Sequence, residues 1–159
     1  MDVIGTPQPP TGLRRLLWRL PIGLYRMRLG FLFGHRLMLL THTGRVTGRP
    51  RRAVIEVVER DPARGVYIAA SGFGTRSDWY RNVLASPEAT IEVAGRTLPV
   101  TATPIPRAEG ADLMARYAMR HPRAAVRLCR IMGFAVDGSE ADFRAVGERI
   151  PFVRFVRRA

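Results

Sequence analysis

Residues 37–52, LMLLTHTGRVTGRPRR, run from an apolar strand-like segment straight into a turn with two glycines and four arginines. Gly44 and Gly48 permit positive φ and let backbone N–H groups come close to a ligand. Thr43 and Thr47 add hydroxyl donors, and Arg45, Arg49 and Arg51 can fork onto phosphate or carboxylate oxygens. Two readings stay open on spacing alone. The turn is either an anion-holding nest or an exposed, arginine-rich hairpin turn. It is not a Walker loop, because it lacks the Gly-Lys-Ser/Thr element and the helix that follows one.

Further strand-like segments follow: AVIEVVE, GVYIAAS, ATIEVAG and TLPVTATPI, each short, rich in Val, Ile and Thr, and set off by Gly, Pro or Asp. VAGRT reads as a tight hairpin pivoting on Ala94-Gly95. Between strands, SDWYRNVLAS reads as a short helix with Ser77 as its cap. The last third turns helical. Leu113, Met114, Tyr117 and Ala118 recur at helical spacing, Pro122 opens a second helix that Gly133 closes, and Ser139 with Asp142 starts a third. PFVRFVRRA reads as an edge strand with a basic tail. The pattern predicts an α+β fold with a barrel-like antiparallel sheet.

The chain has 159 residues, which fits one domain with a single core. Residues 1–11 are Pro-rich and read as a flexible tail, with one domain over 12–159. Within it, residues 12–29 form a basic amphipathic segment: Leu13, Leu16, Leu17 and Leu20 at helical spacing, with Arg14, Arg15 and Arg19 on other faces and Trp18 and Tyr25 nearby. Such a segment either lies across the core or rests on a membrane surface. It is too interrupted by arginine to span a bilayer and lacks a secretory cleavage pattern, so an intracellular, cytoplasmic location is expected.

The net charge is +13, and every basic residue other than histidine is arginine. That attracts polyanions of several kinds, nucleic acid included. Aromatics are not interleaved with the arginines as a single-strand platform requires, so nucleic acid is not expected as a partner. Cys129 is the sole cysteine, which excludes an intrachain disulfide and a Cys-based zinc site. His35, His42 and His121 show no metal-ligand spacing, and no metal is expected.

A second constellation is AASGFGTRSDWYRN, residues 69–82. Gly72 and Gly74 can admit a flat ring edge-on to the backbone. Ser71 and Thr75 can hydrogen-bond ring heteroatoms, with Trp79 or Tyr80 packed beneath. The plainer alternative is a glycine-bent loop with Trp79 as a core anchor.

Taken together, LLTHTGRVTGRPRR, VYIAASGFG and WYRNVLASPEATIEVAGRTLPVTA resemble the deazaflavin-dependent nitroreductase family over residues 36–105, and IPFVRFV resembles that family's closing strand. The resemblance implies a split β-barrel like the FMN-binding fold and a site for coenzyme F420, an 8-hydroxy-5-deazaflavin with a phosphate and glutamates in its tail. It implies that Thr43, Gly44, Arg45, Gly48 and Arg51, with Arg49 beside them, hold the phosphate end. It further implies that Ala70, Ser71, Gly72 and Gly74 border the ring, and that Trp79, Tyr80 and Asn82 support the site. Val46 stands where relatives often have lysine, and RHPRAAVRLCRIMG lacks the tyrosines that line the acceptor pocket in some members.

These features lead to an oxidoreductase passing hydride to a hydrophobic acceptor near the membrane: a quinone, activated alkene, nitro compound or lipid. Ser71 is the first candidate for polarising the acceptor or ring carbonyl, ahead of Tyr80 and Tyr117. The competing reading is a non-catalytic lipid-binding protein on the same barrel. Either a monomer or a homodimer fits.

Overall fold

The computed structural model describes residues 1–5 and 36–159. The basic amphipathic segment expected at 12–29 lies outside the described residues. In chain order the elements are β1 (Asp2–Val3), β2 (Leu37–Thr43), β3 (Pro50–Asp61), β4 (Val66–Ala70), α1 (Asp78–Ala85), β5 (Glu88–Val93) and β6 (Arg96–Pro104). They continue as α2 (Arg107–Arg120), α3 (Pro122–Ile131), β7 (Phe134–Ala135), α4 (Glu140–Arg149) and β8 (Phe152–Arg157). A 3₁₀ turn at Gly74–Arg76 precedes α1.

Six antiparallel strands close a barrel in the order β2-β3-β4-β8-β6-β5. Closure leaves this sheet without an edge. Alternate residues point inward, so Met38, Leu40, Ile91, Val100, Val153 and Phe155 are all fully buried, and Trp79 and Val83 of α1 plug the same core. At roughly 1.5–3 kcal/mol per large side chain, this interior is the main stabilising block.

A second cluster lies on the outer side of the β3–β4 wall. There Val58 and Ile68 are covered by Leu113, Met114 and Tyr117 of α2, Leu128 of α3, Met132, and Phe143 and Val146 of α4. Where α2 crosses α4, the backbones touch. A Cβ on Gly110 would come within 2.5 Å of the Gly147 carbonyl oxygen, and one on Gly147 within 2.8 Å of the Ala111 Cα. Only glycine allows that approach.

Two strand expectations need correction. PFVRFV is no edge: β8 pairs with β4 on one side and β6 on the other, because Val153 and Phe155 supply inward-facing bulk that completes the ring. The strand after the arginine turn also begins earlier than AVIEVVE. β3 starts at Pro50, with Arg51 opposite His42 and Arg52 opposite Thr41. The turn itself is therefore only residues 44–49.

The hairpin at Ala94-Gly95 is as expected, with φ of 50° and 77° at its two central residues. The Ser139 hydroxyl accepts from the Asp142 amide and caps α4, whereas Ser77 sits at the cap position of α1 without bonding an amide. In the stretch expected to be a flexible tail, Asp2 and Val3 pair with Ala135 and Phe134, and the Met1 ammonium meets Asp142 at 2.7 Å.

Gly147→Ala should lower the unfolding free energy by about 1–3 kcal/mol, the usual cost of forcing extra volume into a tight contact. A urea titration measures it, and an unchanged midpoint would mean that the α2–α4 crossing yields freely.

Candidate functional site

The turn after β2 is organised from within. The Gly44 amide donates to the Arg49 carbonyl at 2.9 Å and the Gly48 amide to the Gly44 carbonyl at 2.8 Å. The Arg49 amide donates to the Thr47 hydroxyl at 3.3 Å. Gly48 has φ of +70°, which favours glycine, and a Cβ on Gly44 would sit 3.1 Å from Thr47 Oγ1. The amides of Gly44, Gly48 and Arg49 are thus engaged within the turn, and that of Arg45 with Asn82. Anion binding falls to the side chains.

The arginines divide into two kinds. Arg45 is bound inward: its amide and its Nη1 donate to Asn82 Oδ1 at 3.0 and 2.9 Å, and its guanidinium pairs with Asp78 at 3.2 Å. Arg45 therefore fastens the turn to α1. Arg49, Arg51 and Arg52 are exposed and form no ion pair among the described residues. Residues 6–35 contain no Asp or Glu, so the sequence offers them no carboxylate there either. These three guanidiniums are available to an anion.

Asn82 is buried and engaged on both sides. Besides accepting from Arg45, its amide donates to His42 Nδ1 at 3.1 Å. Nδ1 is then the acceptor of a neutral ring. Burial, followed by the positive field of Arg51, lowers the His42 pKa to about 4. Asn82, expected to support the site, holds the turn and His42 together.

The glycine loop is held by the same helix. Arg81 Nε donates to the Thr75 carbonyl at 2.9 Å, and the Ser71 amide donates to the Pro151 carbonyl at 2.8 Å. Ser71 is completely buried, and its hydroxyl donates to the Gly74 carbonyl at 2.6 Å. Its proton is committed to the Gly74 carbonyl, which shapes the loop. Gly74 has φ of +64°. Gly72 is partly exposed, and a Cβ there would meet only Met132 Cγ, at 3.8 Å, leaving room beside the backbone for a flat ligand.

Of the aromatic candidates, Trp79 belongs to the barrel core, packed 6.2 Å from Phe155 and edge-on to Tyr80. That is the core-anchor alternative. Tyr80 is half-buried on the rim of that core. Tyr117 is separate from both loops in the second cluster, where its hydroxyl donates to Glu56 at 2.6 Å. Burial and that bond raise its pKa well above the usual phenol value, which makes it a poor proton donor. Burial also pushes the Cys129 thiol up to about 11, so it stays protonated and unreactive.

The structure therefore brings the arginine turn and the glycine loop onto one short helix, with free guanidiniums on one side and an open glycine backbone on the other. A closed barrel with such a rim is the framework of a coenzyme-binding split-barrel protein. A family model for F420H(2)-dependent quinone reductase matches residues 25–131, and the chain belongs to this family. It is an oxidoreductase that uses coenzyme F420.

Solved structures with the same fold include an F420-H2 dependent reductase (FDR-A), 22% identical, with a TM-score of 0.51 over 76% of this chain and 93% of that one. Another, described as a domain-swapped dimer, is 19% identical with a TM-score of 0.54 over 88% of this chain and 98% of that one. A third, protein Atu2129 of unknown function from Agrobacterium tumefaciens, is 18% identical with a TM-score of 0.56, over 96% of this chain and 60% of its own. No curated protein matches the chain by sequence.

The His42 contact makes stability pH-dependent. Its folded pKa of about 4 lies below the unfolded value of about 6.5, so the unfolded state binds more protons between them. The contribution is complete above pH 6.5 and lost as pH falls toward 4, on the order of 2 kcal/mol. Urea midpoints should fall across that window. His42→Gln should flatten the slope; an equally steep slope in that variant would remove His42 as its source.

Proposed function

We propose that Arg49, Arg51 and the Thr43 hydroxyl, set around the Gly44–Gly48 turn, hold the anionic tail of coenzyme F420. The backbone of Ala70, Gly72 and Gly74 borders its ring, and the acceptor is a quinone. The observation that carries this reading is the double anchoring of α1. Arg45–Asp78 and Arg45–Asn82 fix the turn to it, and Arg81–Thr75 fixes the loop. A ligand gripped at one end by the turn is thereby aimed at the other.

The residues suit the group. Exposed, unpaired guanidiniums match a phosphate or carboxylate in fork geometry, and the glycine loop leaves a ring-sized approach without side chains. When bound, the coenzyme supplies hydride chemistry. The chain contributes orientation and exclusion of water. Ser71 acts by keeping the loop in shape through the Gly74 carbonyl. Tyr80, half-buried beside Trp79, is the better-placed of the two tyrosines to hydrogen-bond a ligand.

Quinones with long tails reside in membranes, and a peripheral location at the inner face of the membrane suits such an acceptor. No helix among the described residues is long and apolar enough to cross a bilayer. The arginines, leucines and Trp18 of residues 12–29 have the composition of a surface-bound segment.

Arg51→Ala and Arg49→Ala should each weaken coenzyme binding roughly 10-fold to 100-fold, the loss of a hydrogen bond to a charged group. The titration follows the coenzyme's fluorescence, and added salt should narrow the gap from wild type. Undiminished affinity in both variants would place the tail elsewhere. Ser71→Ala should slow turnover by disordering the loop while leaving that affinity within a few-fold, because the tail contacts lie on the other side of α1.

A further inference from the structure

We infer that the exposed face of α3 is a docking surface for an anionic lipid bilayer, seated so that the glycine loop lies directly behind it. Arg123, Arg127 and Arg130 follow one another at i, i+4 and i+7 and so form a single stripe along the helix. All three are exposed, while Ala125, Leu128 and Cys129 turn the opposite face into the core.

The stripe is electrostatically unanswered. None of its guanidiniums forms an ion pair among the described residues, and residues 6–35 contain no carboxylate side chain. Some arginines of the neighbouring helices are answered by carboxylates. Arg116 of α2 pairs with Glu59 at 2.9 Å, and Arg144 of α4 pairs with Asp112 and Glu140 at 2.5 and 2.8 Å. The first turn of α3 also has no acidic residue and instead carries Arg123 at the positive end of the helix dipole. An anionic headgroup at that end would relieve an unfavourable juxtaposition that the fold leaves standing.

Two exposed apolar side chains flank the stripe along the chain. Met119, in the last turn of α2, is 81% exposed, and Ile131, the last residue of α3, is 48% exposed. Guanidiniums flanked by exposed aliphatic groups match the headgroup and acyl layers of a membrane. Nucleic acid fits less well, because no exposed aromatic stands in α3 to stack on bases. Behind the surface, Met132 follows Ile131 and its Cγ lies 3.8 Å from where a Cβ on Gly72 would be. A bilayer against α3 therefore brings an apolar acceptor to the loop assigned to the ring. This deepens the quinone reading and rests on it for its purpose, although the surface can be tested by itself.

The test is co-sedimentation of the full chain with phosphatidylcholine vesicles, with and without about a third phosphatidylglycerol. Wild type should bind the anionic vesicles and release at high salt. The triple variant Arg123→Gln/Arg127→Gln/Arg130→Gln should bind roughly a hundredfold more weakly, at about a tenfold-scale loss for each one or two arginines removed. Arg60→Gln/Arg96→Gln/Arg107→Gln removes the same charge from exposed positions elsewhere and should retain most of the binding. Met119→Gln/Ile131→Gln should weaken binding several-fold at any salt concentration. Equal losses in the two triple variants would mean attraction by net charge alone and would overturn the proposal. So would undiminished binding in the α3 variant.

The two readings separate in activity. The α3 variant should reduce a short, water-soluble quinone normally and a vesicle-embedded long-chain quinone poorly. If wild type reduces neither quinone, the acceptor assignment fails while the vesicle result still decides the surface.

Discussion

A single buried amide organises the functional end of the barrel. Asn82, on α1, accepts two hydrogen bonds from Arg45 through one oxygen and donates to His42 from its nitrogen. Left unpaired in the interior, the Asn82 amide or the His42 ring nitrogen would cost about 1–3 kcal/mol, so these contacts hold in place. The turn has a defined position relative to the sheet because of this contact. The loop inherits its position from the same helix through Arg81.

This arrangement divides the arginine cluster by geometry, since chemistry cannot distinguish its members. Arg45 has Asp78 and Asn82 within reach and becomes part of the scaffold. Arg49, Arg51 and Arg52 lie where β3 leaves the turn and face outward without carboxylates. A scaffold that satisfies one guanidinium and exposes three others keeps a positive potential beside a rigid wall, which favours an anionic tail over a mobile counter-ion. His42 stays neutral beneath this field because burial and Arg51 both oppose its protonation.

On the other side of the wall, the glycine crossing of α2 and α4 sets how closely the helices lie on the sheet. Their layer includes Met132, whose Cγ lies 3.8 Å from where a Cβ on Gly72 would be. The loop is thus held between the barrel-plugging helix α1 and the helical layer. One flank of the loop and turn is basic and polar, the other aliphatic.

Strand and helix identities were largely legible in the chain, because alternation, glycine and proline placement and capping residues are local signals. The barrel class, the Ala94-Gly95 hairpin and the Ser139 cap all followed from such signals. The two glycine constellations were visible as well, and their residue types pointed to an anion and a flat ring. What the chain could not disclose was the use of each polar group. Ser71, Arg45 and Asn82 look equally suited to a ligand in one dimension, yet each finds a partner inside the protein: the Gly74 carbonyl, Asp78 and Asn82, and His42 with Arg45. Trp79 is drawn into the barrel by the area it buries, and β8 becomes central because closing the ring needs Val153 and Phe155. Composition and spacing settle which elements form, since those depend on neighbours along the chain. Which side chains stay free for chemistry depends on neighbours across space, and only the folded barrel supplies them.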